Sequence, residues 1–190
     1  MKNIMLCGVG GQGLVMTSGI IAEVARLSGY DVKTNDVIGL SQRGGRVWAS
    51  IRFGEKVYSP NIEEGSLDYL LALEPLEGYR YSKMLKEDGV ILMNDKIIYP
   101  ADVVFDKSTY PFDEIEKMKE RYETYALDAS HKGVELGNKM VANTIILGML
   151  AGKLTFDTTK WLQVIRERVP EKAIKLNEEA FRFGYNFVNQ

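Results

Sequence analysis

The chain opens with a glycine-rich turn between a short apolar run and an amphipathic segment. Residues 2–7 predict a buried strand, and Leu14–Leu27 carries apolar residues at helical spacing. Between them, Gly8, Gly10 and Gly13 match the pattern G-x-G-x-x-G in the strand–turn–helix context that the pattern requires. This opening predicts an α/β fold in which the first strand leads directly into a helix N-terminus.

Strand-like and helix-like segments alternate along the rest of the chain, which favours a three-layer α/β/α sandwich. Val47, Ala49, Ile51 and Phe53 alternate with polar residues and mark the clearest strand, and a turn at residues 54–55 predicts a hairpin with residues 56–58. We therefore expect a mixed, mostly parallel sheet in a single domain over residues 1–190. The other predicted strands are 31–36, 69–73, 90–93 and 124–127, and the other predicted helices are 112–122, 142–151, 158–168, 171–189 and one that begins at Pro75.

Composition and charge argue against several classes of function. The formal net charge is −2 over 190 residues, so the chain has no overall basic field for nucleic acid. No apolar run approaches the ~20 residues that span a bilayer, and the N-terminal apolar run is too short for a signal peptide. We expect a cytoplasmic protein that binds neither nucleic acid nor a membrane.

Cysteine and histidine each occur once, as Cys7 and His131. One cysteine excludes an internal disulfide, and it excludes an iron–sulfur cluster with four cysteine ligands or a structural zinc cluster built by this chain alone. Cys7 is expected to be a small buried residue of the first strand. We predict no metal site on this chain, and any redox chemistry would need carriers from elsewhere.

The glycine turn by itself allows three interpretations. The glycines permit a tight strand–helix turn, or they let backbone N–H groups approach a phosphate at the positive end of the helix. In the third interpretation the turn binds a dinucleotide, and Asp36 at the end of the second predicted strand binds the ribose.

A second loop, residues 41–45, is expected at the same edge of the sheet. It offers a hydroxyl, an amide and a guanidinium on flexible backbone, and Arg43 can bind a phosphate or carboxylate with two hydrogen bonds. The alternative is a solvated turn. One face of the following strand is cationic and aromatic, which suits an anionic ligand or a partner subunit. That face consists of Arg46, Trp48, Ser50 and Arg52.

Four segments in order resemble the gamma domain of the 2-oxoacid:ferredoxin oxidoreductases, and most of all the small (beta) subunit of the indolepyruvate enzymes. They are GVGGQG, LSQRGGRVWASIRFG, VYSPNIEEGSLDYLLALEPLEGYRY and ELGNKMVANTIILGMLAG, and the likeness covers about the first 150 residues. Enzymes of this family oxidatively decarboxylate a 2-oxoacid to an acyl-CoA and pass electrons to ferredoxin. They use thiamine diphosphate, Mg²⁺, iron–sulfur clusters and coenzyme A.

The resemblance implies a subunit of such an enzyme, because the chain lacks the Gly-Asp-Gly signature for thiamine diphosphate and the cysteines for clusters. Its partners would be the large subunit that holds these groups and, through the complex, ferredoxin. We expect no catalytic acid, base or nucleophile here, and an interface wall of the active site or of a coenzyme A channel instead. The expected cofactor-binding residues are Gly8, Gly10, Gly11, Gln12, Gly13, Ser41, Gln42, Arg43, Gly44 and Gly45, with Arg46 and Trp48 on the docking face.

Two other functions remain open on the sequence. The chain would be a free-standing Rossmann-like protein that binds NAD(P) through Gly8–Gly13 and Asp36, or a scaffold subunit whose loops only pack against partners. Saturable binding of NAD(P) to the isolated chain would favour the free-standing protein over a subunit. Intact activity of the complex after substitutions in both loops would favour the scaffold subunit.

Overall fold

The computed structural model describes residues 1–37, 45–105 and 107–190. In these residues six strands form one sheet, and eight α-helices and three 3₁₀ turns surround it. The strands are β1 (Lys2–Val9), β2 (Asp31–Val37), β3 (Arg46–Gly54), β4 (Leu67–Ala72), β5 (Leu85–Asn94) and β6 (Glu123–Leu127). The helices are α1 (Leu14–Leu27), α2 (Pro75–Tyr81), α3 (Ala101–Val104), α4 (Phe112–Arg121), α5 (Ala129–Leu136), α6 (Ala142–Lys153), α7 (Thr158–Arg168) and α8 (Ile174–Phe187). The 3₁₀ turns are Ser82–Met84, Lys139–Val141 and Glu171–Ala173.

The sheet has the order β2-β3-β1-β4-β5-β6. Strands β1, β4, β5 and β6 are parallel, and β3 runs antiparallel to both of its neighbours. The predicted mixed, mostly parallel sheet is therefore confirmed. In the first βαβ unit, β1 and β2 are not neighbours in the sheet, because β3 lies between them.

The predicted hairpin after β3 is wrong, since residues 55–58 form no strand. Instead the chain crosses the polar face of β3 and is held there by side chains. Ser50 Oγ donates to the Pro60 carbonyl at 2.9 Å, and Arg52 Nη1 donates to the Ser59 carbonyl at 2.9 Å. The Val57 backbone N–H donates to Asp31 Oδ2 at 2.9 Å. These bonds replace the strand ladder that the turn at Gly54 predicted.

Two apolar cores lie on the two faces of the sheet. Along β1, Ile4 and Leu6 face α1 and α5–α8, whereas Met5 and Cys7 face α2 and α4. Cys7 is fully buried as predicted, and burial raises the pKa of its thiol. Helices therefore cover both faces, and the three-layer sandwich is confirmed.

Helix α6 is apolar on nearly all sides and is buried, as its sequence predicts. A Cβ on Gly148 would overlap the carbonyl of Phe181, and one on Gly184 would overlap the carbonyl of Ile145. These glycines let the backbones of α6 and α8 approach each other closely. The close packing expected at Gly148 is therefore confirmed. The close packing fixes the first turn of α6 beside the carboxyl edge of the sheet.

Candidate functional site

The glycine turn connects β1 to α1 at the carboxyl edge of the sheet. Gly11 (φ +97°) and Gly13 (φ +75°) have left-handed backbone conformations that residues with a Cβ rarely adopt. Gly13 is the N-cap of α1, and no side-chain hydrogen bond caps this helix in the described part of the chain. The turn therefore presents backbone N–H groups at the positive end of a 14-residue helix.

The Gln12 side chain joins the ends of two parallel strands. Its Oε1 accepts from the Val9 backbone N–H at 2.6 Å, and its Nε2 donates to the Leu73 carbonyl at 2.8 Å. Gly8 is required beneath it, because a Cβ there would lie 2.6 Å from Gln12 Oε1. Helices α1 and α2, which follow β1 and β4, lie on opposite faces, so Gln12 occupies the topological switch point of the sheet.

The last residue of the second loop, Gly45, contacts the glycine turn at this edge. The Gly10 backbone N–H donates to the Gly45 carbonyl at 2.8 Å, which holds the start of β3 against the glycine turn. Of the second loop, only Gly45 is among the described residues. Ser41, Gln42, Arg43 and Gly44 lie outside them.

A first pocket of about 220 Å³ opens on the α1 side of the edge. Asn143, at the start of α6, closes it by donating to the Gln12 carbonyl at 2.6 Å and to Thr17 Oγ1 at 3.0 Å. Buried Asn94, at the end of β5, donates to Ser130 Oγ at 3.2 Å. The lining residues are Gly11, Gln12, Gly13, Met16, Asn94, Ser130, Lys139, Met140, Ala142 and Asn143.

Among the described residues of that lining, Lys139 is the one ionisable side chain and none is a carboxylate. Lys139, an exposed residue, lies in the 3₁₀ turn that leads into α6. The pocket therefore combines a cation, amide and hydroxyl groups, and backbone N–H groups, which together suit a phosphate. Lys139 and Asn143 lie within one of the family-like segments, but the sequence indicates no role for them, because about 130 residues separate them from the glycine turn.

A second pocket, the arginine groove, of about 700 Å³, lies on the α2 side of the same edge. Glu77 is buried beneath it; one carboxylate oxygen pairs with Arg80 Nη1, and Oε2 has no hydrogen-bond partner among the described residues. Burial raises the pKa of the Glu77 carboxyl, although Arg80 and Arg46 lower it. The groove is lined by Val9, Gly45, Arg46, Glu77, Arg80, Ile98, Tyr99, Pro100, Ala101, Asp102, Val104 and Phe105.

A buried carboxylate, Glu74, anchors the wall of the arginine groove. Its Oε2 accepts from the Glu77 backbone N–H at 2.9 Å, which caps α2. Its Oε1 accepts from the Tyr110 hydroxyl at 2.7 Å and from the Ile98 backbone N–H at 3.4 Å. Glu74 therefore connects α2 to the segment between β5 and α4, which carries exposed Tyr99 and Phe105.

The polar face of β3 differs from the cationic docking face that its sequence predicts. Arg52 donates to backbone carbonyls of the covering segment and to Asn3 Oδ1 at 3.0 Å. Ser50 is buried, and the half-buried Trp48 packs near Tyr81 with ring centroids 6.5 Å apart. Among the described residues of this face, Arg46 alone is exposed, and it lines the arginine groove.

The position of Asp36 does not support the dinucleotide interpretation. Asp36 lies on the edge strand β2, which the antiparallel β3 separates from β1 and its glycine turn. Its Oδ1 accepts from Ser18 Oγ of α1 at 3.1 Å. The carboxylate that would bind a ribose is thus one strand farther from the turn than the Rossmann arrangement requires.

The described residues show no feature of a metal site or of a membrane span. Residues 1–37, 45–105 and 107–190 contain no group of three or more His, Cys, Asp or Glu side chains placed to hold a metal ion. Within the same ranges, every helix is too short or too polar to cross a bilayer.

Comparisons with known proteins agree with this geometry. The family model for pyruvate ferredoxin/flavodoxin oxidoreductase matches residues 3–187. The indolepyruvate oxidoreductase subunit IorB of Thermococcus kodakarensis is 37% identical over 188 residues, which are 96% of this chain and 93% of that protein. The gamma subunit of a keto/oxoacid ferredoxin oxidoreductase from Geobacter sulfurreducens superposes with a TM-score of 0.74 at 26% identity, covering 100% of this chain and 99% of that one.

The same fold also occurs within a longer chain. The 2-oxoglutarate:ferredoxin oxidoreductase of Magnetococcus marinus superposes with a TM-score of 0.78, covering 99% of this chain and 31% of that one. Its 19% identity supports a shared fold alone.

Proposed function

The chain belongs to the pyruvate ferredoxin/flavodoxin oxidoreductase family, and from that premise we propose that it is the small subunit of a cytoplasmic indolepyruvate:ferredoxin oxidoreductase. The complex would convert indolepyruvate or another aryl pyruvate to the acyl-CoA and pass electrons to ferredoxin. The name and nearly full-length match of the Thermococcus relative support the substrate class. The free-standing NAD(P)-binding alternative is not supported, because the family match spans almost the whole chain and Asp36 lies away from the glycine turn.

The residues of this chain do not fit an iron–sulfur cluster. Its single cysteine, Cys7, is fully buried in the sheet with a raised pKa, whereas a cluster needs several thiolates. The sequence also has no Gly-Asp-Gly segment for thiamine diphosphate and Mg²⁺. We place these groups on the large partner subunit, where thiamine diphosphate would supply the carbanion chemistry of decarboxylation.

The first pocket fits a phosphate group of coenzyme A. The single observation that carries this assignment is its lining, in which left-handed Gly11 and Gly13 meet Lys139 and no carboxylate lies among the residues that the structure describes. At about 220 Å³ the pocket holds a phosphate rather than the whole coenzyme, so the remainder would extend along the subunit interface. Gly8 and Gln12 shape the turn, and Gly10 connects it to the second loop.

The second loop would complete the same wall. We propose that Ser41, Gln42 and Arg43 contact the anionic substrate or coenzyme A, with Gly44 and Gly45 allowing close approach of the backbone. What supports this is the bond from the Gly10 N–H to the Gly45 carbonyl, which places the end of the loop against the glycine turn.

The test is steady-state kinetics of the complex co-expressed with its large subunit. We expect Lys139→Ala to raise KM for coenzyme A roughly tenfold, because a charged hydrogen bond to phosphate is lost, while kcat changes little. Lys117→Ala is the matched control, since Lys117 is exposed on α4 at the other face. An unchanged KM for coenzyme A would remove the phosphate role of the pocket.

Arg43→Ala in the same complex tests the second loop. We expect a higher KM for coenzyme A or for the 2-oxoacid. If Arg43→Ala and Lys139→Ala both leave the kinetics of an intact complex unchanged, the chain is a scaffold whose loops only pack against partners.

A further inference from the structure

The tip of the glycine turn is exposed, and its backbone needs support to keep one conformation. Gly11 and Gly13 are both exposed, and both have left-handed backbones. Apart from the chain neighbours of Gly11, no atom of the described residues lies within 4 Å of the position of a Cβ there. Glycine has more backbone freedom than any other residue, so this turn keeps one shape only if other groups hold its peptide units.

Asn143 supplies such support from the first turn of α6. Its Nδ2 donates to the Gln12 carbonyl at 2.6 Å and to Thr17 Oγ1 at 3.0 Å, so both of its N–H donors are used. A backbone carbonyl only accepts, which fixes this orientation of the Asn143 amide. The same nitrogen lies 3.3 Å from the position of a Cβ at Gly13. The amide therefore contacts the peptide unit that joins Gln12 to Gly13.

Thr17 continues this network into α1. Its Oγ1 donates to the Gly13 carbonyl at 3.1 Å, and its backbone N–H donates to the same carbonyl at 3.2 Å. Thr17 is fully buried and does not line the first pocket. Its hydroxyl can therefore influence a ligand only through the turn. Asn143 and Thr17 together are the turn anchor.

The turn anchor sets the direction of a backbone N–H group. Because Asn143 Nδ2 contacts both the Gln12 carbonyl and Thr17, which lies one turn into α1, that carbonyl points along the helix. In a trans peptide unit the C=O and N–H bonds point in opposite directions. The Gly13 N–H therefore points out of the helix N-terminus, and in the part of the chain that the structure describes it has no backbone hydrogen-bond partner.

Helix α6 gives the anchor a fixed base. It is buried, and it packs closely against α8 at Gly148 and Gly184. The residue after Asn143, buried Thr144, donates from Oγ1 to Asn177 Oδ1 of α8 at 2.6 Å. Two adjacent residues of α6 thus bond in different directions, one to α8 and the other to the glycine turn.

We propose that Asn143 and Thr17 are positioning residues of the phosphate site, which hold the glycine turn so that its N–H groups face a phosphate beside Lys139. The phosphate is that of coenzyme A, so the proposal rests on the proposed function. Both N–H donors of Asn143 are used within the protein, and its amide oxygen is an acceptor to which a phosphate dianion offers no donor. Asn143 therefore acts through the turn.

Steady-state kinetics of the complex with its large subunit test the buried half of the anchor. Thr17→Val keeps the shape of the side chain but removes the hydroxyl, and we expect it to raise KM for coenzyme A about threefold. Thr17→Ser keeps the hydroxyl and should have the KM of the wild type. In both variants kcat and KM for the 2-oxoacid should stay unchanged, because only the phosphate site is affected.

Asn143→Ala removes the other half and should raise KM for coenzyme A about tenfold. Thr144→Val is the matched control, since it removes a buried hydrogen bond from the adjacent residue on the side of α8. It should lower Tm without changing KM, whereas a merely structural role of Asn143 would give the same result in both variants.

Nitrogen-15 relaxation of the full chain measures the turn itself. In Asn143→Ala and in Thr17→Val, the order parameters of the Gly11 and Gly13 amides should fall from about 0.85 toward 0.6. Thr17→Ser and Thr144→Val should leave them unchanged. This measurement needs no partner subunit and no ligand, so it separates a looser turn from a lost ligand contact.

Three results would overturn the positioning role. They are an unchanged KM for coenzyme A in both Thr17→Val and Asn143→Ala, an equal rise in Thr17→Ser and Thr17→Val, and a rise in Asn143→Ala with unchanged order parameters at Gly13. If Lys139→Ala raises KM while the anchor variants do not, the positioning role fails and the proposed function stands. If Lys139→Ala has no effect, the phosphate assignment fails and the positioning role falls with it.

Discussion

Replacing Gln12 by alanine tests whether its side chain is a structural bridge or a ligand contact. The change removes the hydrogen bonds to the Val9 N–H and the Leu73 carbonyl. At about 1 kcal/mol each, their loss should lower the free energy of unfolding by about 2 kcal/mol. For a chain of 190 residues this corresponds to a fall in Tm of about 4–8 °C.

Urea denaturation followed by circular dichroism measures the change in Gln12→Ala directly. With a slope m of about 3 kcal/mol per M, the midpoint should fall by about 0.7 M while m stays constant. Gln163→Ala is the control, because Gln163 is exposed on α7 and its Nε2 donates to Glu167 Oε1 of the same helix at 3.1 Å. Its unfolding free energy should change by less than about 0.5 kcal/mol.

A Gln12→Ala variant as stable as the control would refute the reasoning about Gln12. If that variant also has a strongly raised KM for coenzyme A in the complex, the Gln12 amide is a ligand contact instead. A stability loss with a moderate kinetic effect supports the bridge, because the glycine turn would then be present but less well held.

Three further predictions concern stability. Gly184→Ala should lower the free energy of unfolding by at least about 3 kcal/mol or abolish folding, because its Cβ would overlap a carbonyl of α6. Gly19→Ala in α1 has room for the Cβ and should raise the free energy of unfolding by about 0.5–1 kcal/mol. Thermal melts of the two variants compare these effects. Burial tends to raise the pKa of Asp68, but the Asn3 N–H and two lysines lower it overall. The stability that Asp68 contributes is therefore present above its unfolded pKa and is lost as pH falls through its folded pKa. In acid unfolding, Asp68→Asn should lack this part of the dependence of stability on pH. Tyr110→Phe removes a hydroxyl that donates to a buried carboxylate at 2.7 Å, so we expect a loss of about 1.5–3 kcal/mol and faster amide exchange at Ile98.

Local patterns predicted most of the secondary structure. Leu14–Leu27 and Thr158–Arg168 have the predicted bounds, because clear apolar periodicity ends at a capping or breaking residue in both. Pro75 begins α2 as expected, with Glu74 as its N-cap. The C-terminal segment begins as a 3₁₀ turn at Glu171–Ala173, a local tightening that apolar periodicity does not encode.

Strand pairing required information that local patterns do not contain. Alternation predicted β3 itself, but the turn at Gly54 suggested a partner immediately after it in the chain. The structure pairs β3 with β1 from Lys2↔Phe53 to Val9↔Arg46, which brings together residues 37 to 51 positions apart. The polar face of β3 is hydrogen-bonded to the segment that covers it. The face that the sequence predicted to dock a partner is therefore largely covered by the chain itself.

The candidate site was predictable only in its glycine half. A strand followed by glycines and a helix indicates a backbone surface for an anion, and those residues lie at the edge where they were expected. Lys139 and Asn143 reach the same pocket because α6 begins at this edge of the sheet, where Asn143 bonds the Gln12 carbonyl, and α6 packs closely against α8 at two glycines. No spacing along the chain indicates that contact, since it depends on tertiary packing.

The position of Gln12 explains why both cavities flank the switch point rather than fill it. In open α/β sheets a ligand usually lies between the two strands whose helices go to opposite faces. Here that point lies between β1 and β4, and the Gln12 amide bonds both strand ends. In residues 1–37, 45–105 and 107–190, the surface that remains is divided into a cationic pocket without carboxylates on the α1 side and a charge-balanced aromatic groove on the α2 side. The two cavities at this edge therefore differ in both charge and aromatic content, and the Gln12 bridge separates them.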